Sequence, residues 1–80
     1  MAIVRLSDMQ VGQSGTIVKI NGSGNIKFRL IDMGIVKGTH IQVQKYAPLG
    51  DPIEVHVKGF ELALRKSEAE TIDVEIEGDF

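Results

Sequence analysis

Apolar and polar side chains alternate residue by residue in four runs of this sequence. Ile41, Val43 and Lys45 alternate with His40, Gln42 and Gln44; Ile53, Val55 and Val57 with Glu54, His56 and Lys58. Phe60, Leu62 and Leu64 alternate with Glu61, Ala63 and Arg65, and Ile72, Val74 and Ile76 with Asp73, Glu75 and Glu77. A fifth run, Gly15 to Ile20, sets Thr16, Val18 and Ile20 against Ile17 and Lys19. Successive side chains of a strand point to opposite faces, so each run is a strand with one buried and one wet face. That pattern belongs to antiparallel sheets. The connections are mostly too short for crossover helices, so five short strands fold as a small barrel. If Ala47–Asp51 is a hairpin loop, Ile41 faces Val57, Val43 faces Val55 and Gln42 faces His56. A one-residue slip would turn every inward side chain outward.

One segment departs from this period. After the turn Asn21-Gly22-Ser23-Gly24-Asn25, Ile26, Leu30 and Met33 recur at helical spacing. Ser23 or Asn25 stands where an N-cap is needed, and Gly34 where a helix ends on a left-handed residue. The spacing predicts one helix of two to three turns between the first and second strands of the barrel. Ser67-Glu68-Ala69-Glu70 forms a further turn before the last strand, and Leu6-Ser7-Asp8-Met9 a capped turn before the Val11-Gly12 bend.

Size and composition remove several function classes. The chain has 80 residues and no cysteine, so an apolar core must carry the stability, without disulfides, thiolate metal sites or a cysteine nucleophile. No apolar run is long enough to span a bilayer, and Met1 to Gln10 lacks a signal-peptide pattern, which predicts a cytoplasmic protein without direct membrane insertion. Residues 1–40 carry five basic and two acidic residues, and residues 41–80 four basic and nine acidic. Six carboxylates and no cation lie between Glu68 and Phe80. With only Phe28, Tyr46, Phe60 and Phe80 aromatic, nucleic acid is excluded as a partner. Ser7, Ser14, Ser23 and Ser67 lie near no histidine, and no nucleophile–base pair is legible, so no enzymatic activity is expected.

The order of motifs then resembles a known family. Leu6 to Gly12, Gly15-Thr16-Ile17-Val18-Lys19-Ile20, Arg29 to Thr39, Ala47 to Val55 and Gly59 to Arg65 together resemble the FeoA-like domain over about residues 6–76 of a single domain. Glu77-Gly78-Asp79-Phe80 is outside the shared pattern. The resemblance implies a mainly β, five-stranded antiparallel barrel of SH3-like type and a cytosolic accessory role in ferrous-iron uptake. The partner it implies is the cytosolic part of the membrane ferrous-iron transporter that carries a G-protein domain, which would recruit the chain to the inner membrane face. A related domain ends metal-dependent repressors and acts there as an interaction module. The alternative function is therefore a transition-metal-binding or metal-responsive regulatory module. The chain lacks the DNA-binding and metal-sensing parts of such repressors.

Two surfaces are candidates for function. His40 and His56 lie diagonally on the outer face of one hairpin, with Glu54 beside His56. Two imidazoles and a carboxylate are ligands for a divalent transition metal. Solvated strand histidines are the commoner situation, so no cofactor is required and any metal held there is weak or adventitious. The second surface is apolar. Tyr46, Pro48, Leu49 and Pro52 surround an exposed loop, and on the helix Phe28, Ile31 and Met33 supply more apolar groups than one core stripe absorbs. Lys27, Arg29 and Lys37 would rim that side with positive charge and steer an acidic partner. The edge strands of a partly open barrel permit weak homo-oligomers.

Overall fold

The computed structural model describes residues 2–76. The expectations for Glu77 and for the tail to Phe80 lie outside these residues. The described chain runs β1 (Ala2–Arg5), a single 3-10 turn (Leu6–Asp8), β2 (Ser14–Ile20), α1 (Gly24–Asp32), β3 (His40–Tyr46), β4 (Ile53–Val57), β5 (Phe60–Leu64), α2 (Lys66–Ala69) and β6 (Ile72–Ile76). The six strands form one antiparallel sheet in the order β1-β6-β2-β3-β4-β5.

The mainly β class and the helix placement agree with the sequence reading, and the strand count is corrected from five to six. The added strand is β1, which begins ahead of the boundary expected at Leu6. It pairs with β6 alone, Val4 opposite Val74 and Arg5 opposite Asp73. Only Val4 of its four residues is even half-buried, so β1 has no amphipathic alternation to betray it.

The core is built from the inward side chains of the runs read from sequence: Ile17, Ile41, Val43, Ile53, Val55, Val57, Leu64, Ile72 and Val74 are all buried. Leu6, Met9, Leu30, Ile35 and Ala69 close it from the connections. The hairpin register is as expected, Ile41 opposite Val57, Gln42 opposite His56 and Val43 opposite Val55. Beyond Val43 the register shifts. A bulge inserts one residue, so Lys45 faces Glu54 outside and Tyr46 faces Ile53 inside, whereas strict alternation would have driven Lys45 into the core.

A second irregularity lies between Ile17 and Lys19 of β2. It brings Ile17 and Ile20 to the same side, opposite the buried Val74 and Ile72, and separates Ile20 from Thr16, with which alternation had grouped it. Phe60 departs too. Expected inside, it is 51% exposed, because it opens the edge strand β5 directly after the Lys58-Gly59 turn. Gly15 is required for close approach: a Cβ there would lie 2.8 Å from Val74 Cγ1 and would collide with the Glu75 carbonyl oxygen.

α1 ends as its sequence predicts. Gly34 has φ +84°, its N–H donates to Ile31 O, and Ile35 N–H reaches back to Leu30 O at 2.9 Å. Those two bonds with the buried Leu30 and Ile35 side chains form a Schellman closure. Ser23 occupies the N-cap position but makes no side-chain capping bond.

Candidate partner-binding surface

α1 is pinned to the sheet by Leu30, with Ile26 and Met33 half-buried beside it. A nine-residue helix cannot turn every apolar group toward one stripe. Phe28 is 65% exposed and Ile31 42% exposed. Between α1, the end of β2 and the segment leading to β3 lies a groove of about 420 Å³. Val18, Ile20, Ile31 and Val36 supply its apolar lining, and among the described residues Lys19, Lys27 and Lys37 supply its only charges.

The groove exists because β3 starts late. β3 pairs with β2 only from Ser14 to Thr16. Past Thr16 the neighbouring segment is held at Ile17, by Ile17 N–H to Thr39 O and Gly38 N–H to Ile17 O, and then diverges. Val18 and Ile20 are thereby left half-buried under α1 without a third strand beside them. Asp73, the carboxylate opposite Lys19, is engaged by Arg5 at 3.2 Å and by the Asn21 side-chain amide at 3.0 Å. Among the described residues the three groove lysines make no ion pair.

Of the residues expected at a partner surface, Phe28 and Ile31 are presented to solvent and Met33 is used in packing against the core. Pro48, Leu49 and Pro52 project from the β3–β4 loop, Leu49 at 96% exposure. Tyr46 is not part of that exposed tip. It is half-buried against the core, and its hydroxyl donates to the Met9 carbonyl. Burial, and secondarily the negative charge of Asp8, raise its pKa above the usual tyrosine value. Between the loop and the helix surface stands α2. Asp51 Oδ1 accepts a hydrogen bond from Lys66 N–H, and Glu68 Oε2 meets Arg29 Nε at 2.6 Å.

Arg29 therefore serves the fold rather than the expected cationic rim, whose third member is Lys19. Sequence reasoning also missed Val18, Ile20 and Val36 as groove residues. Alternation had assigned the first two to one strand face with Thr16; the register shift falls at Val18 and carries Ile20 to the side of Ile17.

The proposed metal residues are not assembled into a chelating set. Glu54 is paired with Lys45 at 3.7 Å. His56 lies between Gln42 on β3 and Glu61 on β5, and His40 lies opposite Thr16 on β2. Among the described residues no group of three His, Asp or Glu side chains is close enough to hold a metal ion. The diagonal offset across the hairpin separates what sequence placed on one face.

The FeoA domain model matches residues 4–76. The chain belongs to the FeoA domain family. A Porphyromonas gingivalis Fe(2+) transport protein A/Fe(2+) transporter FeoB fusion protein is 36% identical over 73 residues, 91% of this chain and 9% of the relative. The chain thus spans a small part of that protein's length. The FeoA-like protein of Clostridium acetobutylicum superposes with a TM-score of 0.90 at 34% identity, covering 100% of this chain and 93% of the other. The zinc complex of Stenotrophomonas maltophilia FeoA, a prokaryotic SH3 domain protein, gives 0.78 at 29% identity, covering 90% and 89%. A manganese-dependent transcriptional repressor shares the fold alone, at 19% identity and a TM-score of 0.88 over 96% of this chain and 38% of the repressor. This FeoA domain is thus an SH3-like domain of a family associated with ferrous-iron transport. Among its described residues no helix is long and apolar enough to cross a membrane.

Proposed function

We propose that this FeoA domain is a non-catalytic accessory module of ferrous-iron uptake that binds the cytosolic part of the membrane transporter and shifts its conformational equilibrium. The carrying observation is the covalent union of a FeoA segment with FeoB in the Porphyromonas gingivalis relative. Fusion of two modules raises their mutual effective concentration, and this is useful when the modules act together. The groove beside α1 and the Leu49 loop supply apolar contact area suited to such a partner. A module of this kind works by preferring one transporter state, needs no cofactor, and acts at the inner membrane face.

The test is calorimetric titration of the protein into the purified cytosolic region of the transporter from the same genome, with and without ferrous ion and guanine nucleotide. Saturable binding that responds to nucleotide or metal supports the accessory role. Silence in every condition refutes it for the soluble region.

A second reading, a metal-responsive interaction module, is favoured by the zinc held by the Stenotrophomonas maltophilia relative. It requires side-chain rearrangement to bring His40, His56 and Glu54 onto one ion. A one-to-one zinc titration that disappears in the His40→Ala/His56→Ala protein supports it; stoichiometric binding that survives both substitutions rules out these residues.

A further inference from the structure

We infer that the α1–β2 groove is a docking site for an acidic segment of a partner protein that inserts a large apolar side chain between Val18, Ile20 and Ile31 and places its carboxylates against Lys19, Lys27 and Lys37. This deepens the accessory reading by naming the surface and the chemistry of the segment it accepts.

Three observations carry it. The first is concavity: about 420 Å³ is enough room for a bulky side chain, and the apolar lining is supplied by three different elements of the chain. The second is charge. The chain as a whole is net negative, 9 cations against 11 carboxylates, yet among the described residues the groove is lined by three lysines and by no acidic residue. Positive charge concentrated around an apolar cleft selects and steers a negatively charged partner. The third is availability, because the nearby cation Arg29 is committed to Glu68 and the nearby carboxylate Asp73 to Arg5 and Asn21. Both Asp73 oxygens are thus already engaged, and Arg29 is held away as the partner of Glu68. Lys27 and Ile31 sit one turn apart on α1, so a single segment crossing the helix meets a cation and an apolar anchor together.

An anionic bilayer would also meet three lysines, but a flat surface leaves a concave apolar groove unfilled. Peptides fill such grooves with side chains.

The experiment uses isotope-labelled protein and three probes: a short synthetic peptide of leucine and phenylalanine flanked by glutamates, the same peptide with lysines in place of the glutamates, and phosphatidylglycerol vesicles. Acidic-peptide shifts at the amides of Val18, Ile20, Ile31 and Val36, absent with the basic peptide, are the expected result. Ile31→Asp weakens that binding by about tenfold or more, and Lys27→Glu with Lys37→Glu by a similar factor at low salt. These exposed positions are first checked for unchanged melting. Shifts at the Leu49 loop instead, equal binding of both peptides, or binding to vesicles alone overturns the assignment. The same variants titrated against the transporter's cytosolic region separate the two readings. Transporter binding indifferent to Ile31→Asp leaves the accessory role standing and removes the groove. Peptide binding in the groove with a silent transporter does the reverse.

Discussion

Arg29 Nε lies 2.6 Å from Glu68 Oε2, and this ion pair joins the helix that forms one wall of the groove to the short helix before the last strand. Glu68 is only 3% exposed, and its other oxygen accepts the N–H of Arg65 at 2.9 Å. A buried carboxylate is tolerated when its oxygens are both engaged. Arg29 itself is half-exposed, so water screens its side of the pair.

The pair is therefore expected to couple energetically. In urea unfolding, Glu68→Ala costs about 2–3 kcal/mol, because it removes the acceptor for Arg65 as well as the partner of Arg29. Arg29→Ala costs about 1–2 kcal/mol, and the double mutant shows a coupling of about 1 kcal/mol. Strict additivity would mean that the contact contributes nothing to stability.

Tyr46 gives a pH dependence. Its folded pKa is raised by burial and by Asp8, above an unfolded value near 10. The folded state thus holds the phenolic proton more tightly than the unfolded state does. The stability this contributes is complete below about pH 10 and is lost as pH rises through the folded pKa. Tyr46→Phe removes the bond to the Met9 carbonyl and lowers neutral-pH stability by about 1 kcal/mol. It also removes this alkaline loss, seen as a shallower fall of melting temperature above pH 10. An unchanged alkaline slope would assign the loss to other groups.

Gly15 tests how tightly β2 and β6 approach. An added methyl would meet the Glu75 carbonyl and Val74, both part of the β6 ladder. Gly15→Ala is expected to lower stability by about 2–3 kcal/mol. Near-neutral stability in chemical denaturation would show that the two strands separate easily.

Leu49 separates the loop from the groove as a contact. At 96% exposure it makes little contribution to the fold, so Leu49→Asp leaves the unfolding free energy within about 0.5 kcal/mol. If the loop is a second contact, transporter binding measured by calorimetry falls in Leu49→Asp and falls further when it is combined with Ile31→Asp. Wild-type affinity in Leu49→Asp confines the interface to the groove.

What the sequence alone determined was local. Alternation identified five strands and most of their inward residues, and it set the Ile41–Val57 register, because a period of two is a property of each strand by itself. Gly34 foretold the end of α1 for the same reason, since its left-handed backbone is a single-residue preference. The tertiary structure decided whatever depends on a neighbour. β1 is a strand because β6 offers it an edge, not because Ala2 to Arg5 alternate. The two bulges arise from pairing, and they turn Lys45 outward and carry Ile20 to the side of Ile17. Glu68, one of six apparently solvated carboxylates in sequence, is buried because Arg29 from a distant helix reaches it. His40, His56 and Glu54 share an outer sheet face in sequence, yet pairing distributes them among different partners. The groove is likewise absent from any one segment: it forms where β3 leaves β2 uncovered and α1 lies across the gap.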